Sequence, residues 1–153
     1  MNTIEKKRTP HLGRIGIWSM EMRYGEASEI SDAAAELDEL GYGALWIPGA
    51  MGGELLGDVD RLLAATQTMT IATGILNIWM HEAGDVGSWW HALAPEQQAR
   101  VLIGLGVSHG ATVGEAYKKP LSAMKDYLAK LSAEGLPSGQ LCLAALGPKM
   151  LEL

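Results

Sequence analysis

Short, continuous apolar runs alternate along the chain with segments whose apolar residues recur every three or four positions. The runs predict buried strands, and the recurrent spacing predicts helices with one apolar face. Strands are predicted at 14–20, 44–47, 70–79, 101–107 and 140–146. Helices are predicted at 27–40, from an N-cap at Asp58 through Met69, at 85–100 with a break at Pro95, from Pro120 to Gly135, and again from Gly147–Pro148.

This alternation of strand and helix repeats about every 30 residues, which is the size of one βα unit. The strands are continuously apolar, a pattern typical of parallel sheets that are covered on both faces. Two folds fit: an open doubly wound sheet of five strands, and the first four and a half units of a (β/α)₈ barrel. Counting strands within 153 residues favours the open sheet. Residues 1–12 are expected to form a flexible tail ahead of a single domain at 13–153.

Composition narrows the classes of function. The net charge is −6 and the basic residues are scattered, so a nucleic-acid partner is not expected. No apolar run is long enough to predict a membrane span, and the first residues do not resemble a secretory signal. The single cysteine, Cys142, excludes an internal disulfide and a cysteine-built metal site. A cytoplasmic location is therefore expected.

The carboxyl ends of the predicted strands, where α/β folds bind ligands, are rich in glycine and hold only scattered Ser, Asn and His. Such ends suit a large, flat ligand lying against backbone rather than a metal cluster. The segment Gly104–Gly110 approaches the dinucleotide fingerprint, but its third glycine comes one place late. Gly147-Pro148-Lys149 either binds phosphate at a helix start or forms an ordinary turn. Ser108-His109 is more typical of a polar loop than of a catalytic pair.

The chain is most similar to a known family in five sequence blocks, which come in the family's order. The blocks are R-I-G-I-W (14–18), E-L-G-Y-G-A-L-W-I-P (39–48), A-T-G-I-L-N-I-W (72–79), L-I-G-L-G-V-S-H (102–109) and L-A-A-L-G-P-K-M (143–150). Together they resemble the luciferase-like monooxygenase superfamily, and within it the branch of deazaflavin (coenzyme F420)-dependent oxidoreductases. The resemblance covers residues 12–153. It implies a (β/α)₈ barrel, of which this chain would carry the part up to the start of the helix after strand five. The resemblance therefore favours a partial barrel over the open sheet that counting strands favours.

The resemblance also implies a cofactor and its contacts. The cofactor would be coenzyme F420, or alternatively FMN, serving hydride transfer to an unidentified small organic substrate. Its ring would lie against a non-prolyl cis peptide, which here corresponds to Gly74–Ile75, with Asn77 nearby. Gly106, Ser108 and His109 match the rim after strand four, and the phosphate turn corresponds to the segment Gly147, Pro148 and Lys149.

The chain departs from the family at one position after strand two. Relatives commonly carry an acidic residue or an acid–His pair there, and this sequence has Gly49 and Ala50. A part of a barrel also leaves two open sheet edges, and open edges recruit other strands. The alternative to an active oxidoreductase is therefore a non-catalytic chain that associates with a second copy or with a partner chain.

Overall fold

The computed structural model describes residues 9–49 and 53–153. Strands and helices alternate along this part of the chain. The strands are β1 (Gly16–Trp18), β2 (Ala44–Ile47), β3 (Thr70–Thr73), β4 (Leu76–Asn77), β5 (Val101–Gly106) and β6 (Leu141–Leu143). The helices are α1 (Glu21–Tyr24), α2 (Ala27–Glu39), α3 (Leu55–Ala65), α4 (Ala83–Ala92), α5 (Pro95–Gln98), α6 (Gly110–Val113), α7 (Pro120–Ala133) and α8 (Pro148–Leu151), with short 3₁₀ turns at Gly114–Ala116 and Ser138–Gln140.

The strands form one parallel sheet whose spatial order follows the order of the sequence. β1 pairs with β2, β2 with β3, both β3 and β4 with β5, and β5 with β6. A doubly wound sheet would reverse direction at a switch point, and this sheet does not. Right-handed crossovers that always advance in one direction place every helix on the same side of the sheet. The domain is thus part of a (β/α) barrel, and the preference for an open sheet that rested on counting strands is wrong.

The two faces of the sheet differ in residue size. Side chains alternate between the faces along each strand, and one set of positions, including Leu45, Ile71 and Ile103, packs with the helices into the hydrophobic core. The opposite, inner face carries mostly small residues, which are Gly16, Ala44, Ala72, Gly104, Gly106 and Cys142. Trp46 lies across this face, because an added Cβ at Gly16, Gly74 or Gly104 would come within 3.6 Å of its ring. The hydrophobic core therefore lies between the sheet and the helices, and most side chains on the inner face of the sheet are small.

Two predicted elements differ from the structure. The predicted strand 70–79 is divided into β3 and β4, and the cis peptide bond Gly74–Ile75 lies between them. The helix predicted to begin after an N-cap at Asp58 begins at Leu55 instead. Asp58 lies inside α3 and forms ion pairs with Arg23 and Arg61 rather than capping the helix.

The predicted flexible tail 1–12 lies mostly outside the described residues. In its described part, Pro10 is buried and the carbonyl of His11 accepts a hydrogen bond of 2.9 Å from the Thr70 hydroxyl. This hydrogen bond attaches residue 11 to the start of β3. Within residues 9–49 and 53–153, no helix has the length and apolar character needed to cross a membrane.

Candidate cofactor-binding site

A cleft of about 360 Å³ opens at the carboxyl ends of β4, β5 and β6. Its volume falls in the range of small-molecule sites, about 300–1,000 Å³. More of its lining is apolar than polar, as in most cofactor sites. The lining residues are Ile75, Gly106, Val107, Ser108, His109, Tyr117, Pro120, Ala144, Leu146, Gly147 and Met150. Five of the residues assigned by the family resemblance, Ile75, Gly106, Ser108, His109 and Gly147, thus come together from three separate segments.

The wall of the cleft at β4 is set by a close contact between Ile75 and Gly106. A Cβ added to Gly106 would lie 2.7 Å from the Cδ1 and Cγ1 atoms of Ile75, so residue 106 has room for hydrogen only. The cis bond expected at Gly74–Ile75 is confirmed. The carbonyl of Ile75 accepts a hydrogen bond from the N–H of Gly49 at 3.1 Å, which ties this wall to the end of β2.

The polar rim follows β5. Ser108 is half-buried with φ 56°, a left-handed conformation uncommon outside glycine. His109 is exposed and precedes the first turn of α6, and its backbone carbonyl accepts hydrogen bonds from Thr112 and Val113. Both residues line the cleft, and a hydroxyl and an imidazole can exchange hydrogen bonds with a bound ligand.

Four assigned residues lie beside the cleft rather than on its lining. Gly74 is covered by Trp18, whose indole N–H donates to the Gly74 carbonyl at 3.0 Å. Asn77 is buried, and its side-chain oxygen accepts a hydrogen bond of 3.0 Å from the Trp79 backbone. Pro148 and Lys149 are exposed in the first turn of α8, next to Gly147 at the cleft. The Asn77 amide is therefore bonded to the turn that follows β4, and Lys149 lies in the exposed first turn of the helix after β6.

Tyr117 is a lining residue that sequence reasoning did not single out. Its ring lies 6.1 Å from the ring of Trp79, and the Trp79 indole N–H donates to the Val107 carbonyl at 2.7 Å. Tyr117 thus forms one side of the cleft, with the Trp79 ring beside it. Their position after a strand end was the available signal, but Tyr117 stands in an irregular segment whose path the sequence pattern does not predict.

At the end of β2, Gly49 offers no side chain toward the cleft. A Cβ on Gly49 would collide with the carbonyl oxygen of Ile75, so this position is restricted to glycine. Ala50, the second position where relatives commonly carry an acid, lies outside the described residues. Residue 49 therefore cannot supply the acidic side chain that relatives commonly carry after strand two.

His81, on the segment after β4, is a half-buried imidazole on the carboxyl side of the sheet. Burial and the positive charge of Arg23 lower its pKa, and the carboxylate of Glu54 opposes this shift in part. The imidazole is accordingly neutral at physiological pH. Among the described residues, no group of three or more His, Cys, Asp or Glu side chains could hold a metal ion.

Comparison with known proteins gives matches in structure only. No family model matches the sequence, and no curated protein matches it. The coenzyme F420-dependent tetrahydromethanopterin reductase from Methanopyrus kandleri superimposes with a TM-score of 0.69 at 16% identity, covering 93% of this chain and 52% of the reductase.

Two further structures agree with this match. An F420-dependent secondary alcohol dehydrogenase in complex with an F420–acetone adduct gives a TM-score of 0.65 at 15% identity, over 78% of this chain and 41% of that one. The oxygenating constituent of 3,6-diketocamphane monooxygenase from Pseudomonas putida, in complex with FMN, gives 0.59 at 14%, over 76% and 38%. The chain spans about half the length of these enzymes or less. Over that length it has the fold of the luciferase-like F420- and FMN-dependent oxidoreductases, as the sequence resemblance predicted.

Proposed function

We propose that the chain binds coenzyme F420, or alternatively FMN, in the cleft between Ile75, Gly106 and Gly147, as part of an oxidoreductase that acts on a small organic molecule. The observation that carries the proposal is the convergence of these residues at the carboxyl ends of three strands. Glycine at residue 106 makes room for the Ile75 side chain, which packs there and gives the cleft an apolar wall for a flat ring.

The residues present fit such a group. The apolar wall at Ile75 suits one face of a ring system, the Ser108 and His109 side chains suit its polar edge, and Gly147 with the neighbouring Lys149 suits an anionic tail. When bound, the cofactor would supply the hydride chemistry, while the protein supplies binding and orientation. The proposal assigns no catalytic residue, since Gly49 carries no side chain that could exchange a proton.

Titration of the purified chain with oxidised F420 and, separately, with FMN tests this proposal. Gly147→Leu fills the cleft, and nothing within 4 Å opposes a Cβ at that position, so the fold should tolerate it. We expect at least a tenfold weaker affinity, equal to about 1.4 kcal/mol. Gly84→Leu, at an equally open glycine on α4, is the matched control and should bind as the unmodified chain does.

Absence of binding of both compounds by the unmodified chain at millimolar concentration would overturn the proposal. Equal loss of affinity in the Gly147→Leu and Gly84→Leu variants would place the site elsewhere.

We also propose that a second copy of the chain covers the two sheet edges. Among the described residues, β1 and β6 each pair with one strand only. A groove of mixed polar and apolar lining, about 650 Å³, lies beside β1 at Ile15 and Leu40, and an apolar groove of about 620 Å³ lies beside β6 at Leu128, Leu141 and Leu153. A two-fold axis parallel to the strands would place β6 of each copy beside β1 of the other, in parallel, and would close both edges at once. Light scattering decides the point: a stable dimer supports the proposal, whereas a monomer or an open-ended series of oligomers contradicts it.

A further inference from the structure

Arg23 is a charged side chain held almost completely inside the protein. Its side chain is 1% exposed, and a buried guanidinium is costly unless its N–H groups are paired. Nε lies 2.8 Å from the Asp58 carboxylate, and Nη1 donates to the Tyr24 hydroxyl at 2.8 Å and to the Pro48 carbonyl at 2.7 Å. One planar group thus connects α1, the first turns of α3 and the end of β2.

The contact with Pro48 leads directly to the wall of the cleft. The next residue, Gly49, donates its N–H to the carbonyl of Ile75 at 3.1 Å, and Gly74 donates to the Ile47 carbonyl at 2.8 Å. Gly49 approaches Ile75 so closely that a Cβ has no room. The side chain of Ile75 in turn fills the space that Gly106 leaves open. The position of the wall therefore depends on where the Pro48–Gly49 backbone is held.

We propose that Arg23, anchored by Asp58, is a positioning residue that fixes the Ile75 wall of the cleft through Pro48 and Gly49. The inference rests on the proposed cofactor site for its functional consequence. A buried ion pair is weak evidence for added stability, because the cost of removing both charges from water offsets their attraction. A role in holding one backbone arrangement explains why the residue is an arginine. The planar guanidinium donates to Asp58 and Pro48 at once through different nitrogens, and a lysine ammonium cannot reproduce this geometry.

The test uses Arg23→Lys, which keeps the charge and loses the fork. The matched control is Arg61→Lys, because Arg61 binds the other oxygen of the same Asp58 carboxylate but is 34% exposed on α3. The first readout is amide hydrogen exchange of Gly49. We expect Gly49 to exchange about tenfold faster in Arg23→Lys, while Ile71, bonded to the Arg100 carbonyl in the same sheet, keeps its rate.

The second readout is the dissociation constant for FMN and for F420. Loosening a residue that supports a binding wall weakens binding without removing a contact to the ligand. We expect an increase of about tenfold in Arg23→Lys and less than about twofold in Arg61→Lys. Asp58→Asn, which leaves a neutral acceptor beside Arg23, serves as a second variant if Arg23→Lys does not fold, and the same direction of change is expected.

The two proposals fail in different ways. If the unmodified chain binds neither compound, the proposed function is overturned while the exchange of Gly49 still decides the positioning role. If Gly49 and Ile71 exchange at unchanged rates in both Arg23→Lys and Asp58→Asn, or if Gly49 and Ile71 accelerate equally, the positioning role is overturned whatever the affinities.

Discussion

At the scale of single residues, Asp38 shows how one carboxylate orders a turn. It stands in the last turn of α2 and accepts hydrogen bonds from the backbone N–H groups of Gln67, Thr68 and Met69 and from the Thr68 hydroxyl. Partial burial opposes ionisation, but these hydrogen bonds outweigh it and lower the pKa of Asp38. The group thereby fixes the start of β3 at the end of the sheet opposite to the cleft.

Because the pKa of Asp38 is lower in the folded than in the unfolded chain, the stability it adds is present above the unfolded value of about 3.9. That stability is lost as the pH falls through the folded pKa. We expect Asp38→Ala to lose about 1 kcal/mol at pH 7, a value reduced by the solvent exposure of the site. The difference from the unmodified chain should vanish at acidic pH. Urea unfolding at several pH values measures this, with Asp32→Ala on the exposed side of the same helix as control. A loss that did not depend on pH would contradict it.

At the scale of elements, the seam between β3 and β5 depends on Gly104. The Thr73 hydroxyl donates to the Gly104 carbonyl at 2.8 Å, and an added Cβ at residue 104 would collide with the backbone oxygen of Thr73. The near-match to a dinucleotide fingerprint thus has a packing explanation at Gly104 and at Gly106, and Gly106 also lines the cleft. Sequence spacing does not separate these two uses of glycine.

Gly104→Ala tests the seam. The substitution forces two strands apart, and overpacking of this kind costs about 1–3 kcal/mol. Gly84→Ala, at an open helical position, should instead stabilise the chain by about 0.5–1 kcal/mol. Chemical unfolding measures both variants, and a neutral Gly104→Ala would show that the strands can separate without loss.

The elements themselves were largely predictable, because their apolar spacing is regular. The helix at Ala27–Glu39, the strand at Ala44–Ile47 and the helix from Pro120 agree closely with the pattern. The cis bond at Gly74–Ile75 was expected from the family resemblance, whereas the division of 70–79 into two strands was not predicted. The start of α3 was predicted wrongly because Asp58, a good capping residue, forms an ion pair with Arg23, 35 positions earlier in the chain, instead of capping the helix.

At the scale of the whole molecule, the strand order decided the architecture. Counting strands favoured an open sheet, whereas the register from Gly16 beside Ala44 onward shows each strand beside its predecessor. The order of the strands in the sheet cannot be predicted from the local spacing of apolar residues. The cleft was predictable in part, since each assigned glycine stands at or after the end of a strand, but the place of Tyr117 depends on its tertiary contact with Trp79.

Association of two copies makes a prediction at this scale. Ile15 is 65% exposed beside β1, so Ile15→Glu should leave the single chain folded. The substitution would place a charge in the proposed dimer interface. We expect the dimer to dissociate in sedimentation or light scattering. Met80→Glu, at a residue 52% exposed beyond β4, is the control that should stay dimeric. Dissociation of both variants, or of neither, would argue against pairing at β1.

The lone thiol of the chain lies on β6, facing away from the helices and accessible to solvent. It sits on an outermost strand, next to the backbone groups that an additional strand would occupy. Cys142 is thus a built-in chemical probe of that border. A thiol reagent should modify it rapidly when the border is bare and slowly when another strand lies against it, so the state of the sheet can be followed in solution without introducing a label.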